Sequence, residues 1–376
     1  ISAGFLMALY TVMTGASAAS VRALIMFLAF LLSRLSKRSY DSLSAMALAA
    51  SLILLKSPGY LFDSGFQLSF SAAYGASILS PVLRKKLPFP FDKKDQPGAA
   101  MTAKRRRAEA VTGKERLKKL ARAQWESAVS WLAIQLCTLP LIAYYFYEIP
   151  VWSLPLNLLL VPWARYILFL GAAGGAAGLV LPAAGKLILL PVNGILFLYD
   201  TLLRAARQLP AGTWICGKPE LWQAAAFYIC LAAGMCLFQK KPLPVKKAGK
   251  AYGGSAGADR RRRHSPLCVR NKALLGTGAF LLAGLVLLFW RSPDGFSLTM
   301  LNVGQGDCIV VREGSRVFLS DGGSTNVSEV GKYRILPYLK SQRIRRIETV
   351  LLSHDDADHI NGIEELLVMI AERETA

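Results

Sequence analysis

The chain has 376 residues, 53% of them hydrophobic, and a formal net charge of +21. A mean hydropathy of +0.36 excludes an ordinary soluble protein, and uncharged apolar stretches near bilayer length recur at 128–147, 166–185, 221–238 and 273–290. The charge does not describe a basic protein throughout: 84–122 carries fourteen Lys/Arg against four Asp/Glu, 240–272 carries eleven against one, and everything from Ser292 onward is net −4.

In chain order, 1–35 reads as one or two apolar helices ending at Arg34, Lys37 and Arg38. A short helix over 42–56 follows, Ser57-Pro58-Gly59 turns the chain, and 66–82 leads into the first basic loop, with Asp63 or Ser64 as helix N-cap. Further spans are predicted near 126–147, 153–181, 185–207 and 220–238. Pro155, Pro162 and Gly171 predict that 153–181 is broken or re-entrant. These segments make 1–239 a polytopic domain, followed by a second basic loop, 240–272, and a last span, 273–290. The positive-inside rule makes both basic loops cytoplasmic, which puts everything after Trp290 outside the cytoplasm. Anionic lipid or DNA is the second reading of the same charges.

After Trp290 the pattern changes to short β-runs: Phe296–Leu301, Cys308–Arg312 and Arg316–Ser320, the last two joined by the hairpin signal Glu313-Gly314-Ser315. Residues 332–341 suit a helix, Glu348–Leu352 a strand, and Ile360–Glu374 a helix. The region 292–376 therefore reads as the N-terminal half of an α/β domain. The chain opens at Ile1 on an apolar run and stops soon after its last motif, as an internal piece of a longer protein would. The six cysteines show no Cys-x-x-Cys spacing and predict neither a disulfide nor a metal site.

The strand Glu348–Leu352 delivers Ser353-His354-Asp355-Asp356-Ala357-Asp358-His359. Residues i and i+2 of an extended strand end point the same way, so His354 and Asp356 converge on one metal while Asp358 and His359 address a second. Two metals about 3.5–4 Å apart clamp the attacking and leaving oxygens of phosphoester hydrolysis. Two of the three histidines of the chain fall in this window, which favours a metal site over a solvated acidic loop. With Asp356 in the set, Mn²⁺ competes with Zn²⁺.

Leu301-Asn302-Val303-Gly304-Gln305-Gly306-Asp307, Asp321-Gly322-Gly323 and Ser353–His359 with Asn361-Gly362 resemble the metallo-β-lactamase fold, in the αββα version carried by the ComEC-type DNA-internalisation competence proteins. Ser20-Val21-Arg22-Ala23, Asp63–Phe70 and Pro155–Pro162 resemble the membrane motifs of the same family, in the same order. The resemblance implies a channel in the bacterial plasma membrane for single-stranded transforming DNA, with a two-metal nuclease-like domain outside the cytoplasm. It implies a DNA receptor, a cytoplasmic translocase and membrane lipids as partners. Carried over by position, His354, Asp356, Asp358 and His359 hold two divalent metals, Asp358 also orients the attacking water, and Asp321 supports the ligand loop. Asp356 departs from the usual His-x-His-x-Asp-His set, and the later ligands are absent, so catalysis belongs to a longer parent. Such a half domain would also bury too little core to be stable alone.

Polar residues inside apolar runs give Arg22, Gln67, Asn157, Arg165 and Arg204 as channel candidates, each weighed against a packing or pairing role. For Arg204 the pairing partner would be Asp200, four residues earlier. Two other functions compete: a membrane-anchored metallohydrolase acting on a lipid or small molecule, and a channel with an inactive hydrolase domain.

Overall fold

The computed structural model describes residues 2–87, 89, 113–209, 212–239, 266–291 and 295–375, so most of both basic loops lies outside the described residues. The chain divides into two compact units, one of Ile1–Lys218 with Asp294–Ala376 and one of Pro219–Pro293.

In the first unit, α1 (Ser2–Met13) and α2 (Ala18–Leu35) divide the opening apolar run, and α3 spans Ser42–Lys56. Asp41 caps α3 through the Ser44 N–H at 2.9 Å, and Asp63 caps α4 (Ser64–Tyr74) through the Phe66 N–H at 2.8 Å. Ala18, Ile53 and Phe66 form the small core that joins α2, α3 and α4. A wide turn at Gly75–Leu79 links α4 to α5 (Ser80–Lys86), and Gly75 lies against the backbone of Ala133 and Ile134 on the next helix.

That helix, α6, runs from Gly113 to Phe146. It starts well before the predicted span at 126, inside the basic segment. Lys, Arg, Glu, Ala and Leu between Gly113 and Arg122 are all good helix formers, so the helix extends through charged residues that no hydropathy window counts. Helix α7 (Ser153–Val180) is likewise continuous, which corrects the expected break. Pro155 sits in the first turn, where a missing N–H costs nothing, and only Pro162 falls inside the helix. Helix α8 (Pro182–Gln208) folds back on α7 so closely that a Cβ on Gly185 would lie 2.6 Å from the Gly178 Cα. Backbone contact of this kind, through small residues, is how helices pack where no water drives association. Two short strands, β1 (Glu148–Pro150) and β2 (Thr213–Ile215), pair antiparallel across this helical hairpin.

Among the described residues, four helical segments are long and apolar enough to cross a membrane: Ala18–Leu35, Leu117–Phe146, Pro155–Val180 and Pro182–Ala206. The predicted spans 42–56, 220–238 and 273–290 are shorter apolar helices. Outward side chains stay bare on the long ones, Leu179, Leu187 and Phe197 among them, as a lipid solvent would require.

The second unit is a pair of helices, α9 (Leu221–Gln239) and α10 (Pro266–Phe289). The Gln223 amide, 2% exposed, donates to the carbonyls of Leu287 and Trp290 at 3.0 and 2.7 Å, fixing the start of α9 beside the end of α10. The Leu287 carbonyl also accepts from the Trp290 N–H at 3.3 Å, so the buried amide completes the hydrogen bonding of the helix end.

The remaining part of the first unit is a four-stranded sheet in the order β3-β4-β5-β6. Strands β3 (Phe296–Met300), β4 (Ile309–Glu313) and β5 (Arg316–Ser320) are antiparallel; β6 (Thr349–Leu351) returns parallel to β5 after α11 (Leu336–Ser341). Val310, Val317 and Leu319 face a core closed by Ile335, Leu339 and, from α12 (Ala357–Thr375), Ile363 and Leu366. Phe296, Leu298, Met300 and Leu351 stay exposed, so the apolar residues of the sheet are covered on one side only.

Candidate metal centre

The site is built where β6 ends and α12 begins, with the end of β5 beside it. Asp321 follows β5 at φ +54°, and its N–H donates to the Leu351 carbonyl at 2.9 Å, which ties the two strand ends together. Its carboxylate Oδ1 then accepts from the Ser353 N–H at 2.9 Å and from the Ser353 hydroxyl at 3.0 Å. Burial alone raises the Asp321 pKa, but these two hydrogen bonds and the neighbouring His359 outweigh it and hold the group below the usual carboxylate range.

Because the Ser353 hydroxyl spends its proton on Asp321, it can only accept from the imidazoles beside it. The Nδ1 atoms of His354 and His359 lie 2.9 and 3.3 Å from it. Both rings therefore carry hydrogen on Nδ1 and present a lone pair at Nε2, the tautomer a metal ligand needs. The two rings lie 3.8 Å apart between centroids. One ligand atom from each of His354, Asp358 and His359 falls within a 4.8 Å cluster. The Asp358 Oδ2 is 3.7 Å from the His359 Nε2, and the Asp356 Oδ2 approaches the His354 Nε2 at 3.4 Å. His359 is nearly buried, whereas Asp356 is 74% exposed and reaches in from the rim. His354 thus has Asp356 beside it and His359 has Asp358, and ligand atoms of His354, Asp358 and His359 share one cluster.

The two glycine-rich loops explain how so much backbone reaches one point. Gly322 N–H donates to the His359 carbonyl at 2.7 Å, and Asp307 N–H to that of Asp358 at 3.3 Å. A Cβ on Gly323 would lie 2.4 Å from the Asp358 carbonyl carbon and the His359 nitrogen, and one on Gly306 would lie 2.3 Å from the Gly323 oxygen. Only glycine permits these approaches. Asn361 closes the arrangement by exchanging two hydrogen bonds with the Ser324 backbone, at 2.6 and 3.0 Å. Cys308, beneath the loops, has its thiol pushed up to about 12, by burial first and by the Asp321 charge second; it is a packing residue. Ser353 and Asn361 are the functional neighbours that motif reading left without a role. Their signal was position: the last residue before the first histidine, and the first turns of α12.

A donor set of two Nε2 lone pairs and carboxylate oxygens fits a divalent cation such as Zn²⁺ or Mn²⁺. Each channel candidate has its own local surroundings. Arg22 is half-buried, donates from Nε to the Ser69 hydroxyl at 2.8 Å and lies 5.8 Å from the Phe70 ring centre. Gln67 donates to the Leu61 carbonyl at 2.8 Å, beside its own helix start. Asn157 and Arg165 are exposed on α7, with Arg165 stacked 4.7 Å from the ring centre of Tyr166. Arg204 pairs with Asp200 at 2.9 Å, both largely exposed.

Residues 1–241 match the family model described as Competence protein, and residues 301–368 match that of the metallo-beta-lactamase superfamily. The chain is 24% identical over 377 residues to ComE operon protein 3 of Bacillus subtilis (strain 168), covering 96% of this chain and 40% of that protein. It is 27% identical over 246 residues to Competence protein ComA of Neisseria gonorrhoeae, covering 65% of this chain and 28% of the relative. It is 35% identical over 92 residues to Recombination protein 2 of Haemophilus influenzae, covering 24% and 12%. The chain thus spans less than half the length of these relatives. No solved structure matches it. With the match covering most of its length and a metallo-beta-lactamase region following, the chain belongs to the competence protein family.

Proposed function

We propose that this chain is the membrane-channel part, and the opening part of the hydrolase domain, of a protein that takes up single-stranded transforming DNA across the bacterial plasma membrane. The observation that carries the reading is the joining, in one chain, of a competence-family membrane region over 1–241 to the His354–Asp358–His359 cluster. Several long apolar helices are more than an anchor for a hydrolase requires.

Two divalent metals would be held in the complete protein by His354, Asp356, Asp358 and His359 together with ligands from elsewhere. A metal there supplies Lewis acidity to a phosphodiester. The residues of this chain do the rest: Asp321 and Ser353 hold both imidazoles in the ligand tautomer, and Asp358, at the first turn of α12, orients the attacking water. Hydrolysis of the strand that is not imported would leave the other to pass. A DNA receptor outside and a translocase inside are the partners such a task needs, and lipid surrounds the bare helices.

The charge pattern along the chain supports a sidedness. Helix α10 runs from the second basic segment to Phe289, and the sheet begins at Phe296. If basic segments stay inside, the hydrolase domain lies outside the cytoplasm. A host lacking its own uptake protein, complemented with the complete parent, tests the reading: labelled single strands should enter the cytoplasm. A protein present in the membrane without uptake would overturn it, and turnover of a lipid in that case would point to the anchored hydrolase.

A further inference from the structure

Strands β1 and β2 come after α6 and α8 in the chain, and their pair touches the end of α11 and the segment leading on to β6. Three separate contacts make the join. The Lys340 ammonium lies 2.9 Å from the Glu148 carboxylate, and both side chains are largely buried, at 15% and 27% exposed. The Lys218 N–H donates to the Ser341 carbonyl at 2.9 Å. The Arg345 guanidinium donates to the Ile215 carbonyl at 3.3 Å. The surfaces also fit in shape: Gly217, at φ +75°, sits where a Cβ would lie 2.4 Å from the Arg343 Cγ and 3.0 Å from the Ser341 oxygen.

We propose that the β1–β2 pair is a docking seat that holds the hydrolase-like region on the membrane region through the Lys340–Arg345 segment. The charges are complementary: the segment brings Lys340, Arg343, Arg345 and Arg346 to a strand pair that offers Glu148 and strand-end carbonyls. A carboxylate so poorly solvated is costly unless a cation meets it, so Glu148 selects a docked basic partner over an open position. With the seat engaged, the metal cluster keeps one orientation relative to α6 and α8. This holds whether or not the chain imports DNA.

Cross-linking in membranes tests the seat. A backbone hydrogen bond between 218 and 341 brings those positions into disulfide range, so a chain carrying Lys218→Cys and Ser341→Cys should form that bond under mild oxidation, identified by mass spectrometry. Glu148→Lys, which sets a second ammonium against Lys340, should slow its formation about tenfold. Adding Lys340→Glu to that variant should restore the original rate, which a misfolded strand pair would not allow. Absence of the 218–341 bond, an unchanged rate with Glu148→Lys, or a double swap as slow as the single one would each overturn the proposal.

Discussion

The helical hairpin α7–α8 and the metal loops both bring backbone against backbone by way of glycine, yet the surroundings are opposite. Between α7 and α8, Gly178 and Gly185 let two helices touch whose backbone-to-backbone hydrogen bonds run within each helix, with the Tyr199 hydroxyl donating across to the Leu160 carbonyl. At the metal centre, Gly306 and Gly323 let loops from three strand ends meet, and the hydrogen bonds run between loops. A helix pair can slide by a fraction of an ångström and keep its bonds. The loops cannot, because Gly322 to His359 and Asp307 to Asp358 are the bonds that would break. The membrane region is therefore tolerant in packing and the hydrolase-like region exacting.

Single substitutions can break that contrast. Gly323→Ala should be the most damaging, about 3 kcal/mol, because its Cβ meets backbone at 2.4 Å that hydrogen bonds between loops hold in place; loss of protease resistance in the sheet region would report it. Gly185→Ala should cost about 1–2 kcal/mol in detergent melting, since the helices can shift apart. An equal or larger loss than at Gly323 would erase the distinction. Ser353→Ala should keep the fold but weaken metal binding about tenfold in chelator competition, because both imidazoles lose the acceptor that fixes their tautomer. Arg204→Ala should change stability by less than about 0.5 kcal/mol, as an exposed pair with Asp200 implies. A strong fall in DNA uptake with that variant would instead mark Arg204 as part of the strand's path.

Local chemistry was readable from the sequence wherever the cause was local. Asp63 caps α4, α3 begins at Ser42 and ends at Lys56, and the β4–β5 hairpin turns at Gly314. Hydrophobic period and cap residues decide these features within a few positions. The start of α6 at Gly113 escaped because its first turns are charged, and hydropathy is blind to a helix held by propensity alone. The prolines of α7 misled for the converse reason: one of them stands in the first turn, where it does no harm. The β1–β2 pair joins three residues to three across two long helices, a contact that only tertiary structure creates. At the candidate metal centre the residue types were visible, while their degree of burial was not. That depends on the turn of α12, which brings His359 and Asp358 back toward His354 and leaves Asp356 at the rim.

The separation of uptake from hydrolysis is the centre of the account, and one assay reads both. In cells whose only copy of the complete protein carries His354→Ala, labelled double-stranded DNA would be supplied outside. Internalised single strand and released nucleotides would be counted together. The account predicts that nucleotide release collapses while strand entry persists when the DNA is supplied already single-stranded. Unchanged release, or loss of single-strand entry with the protein intact in the membrane, would contradict it.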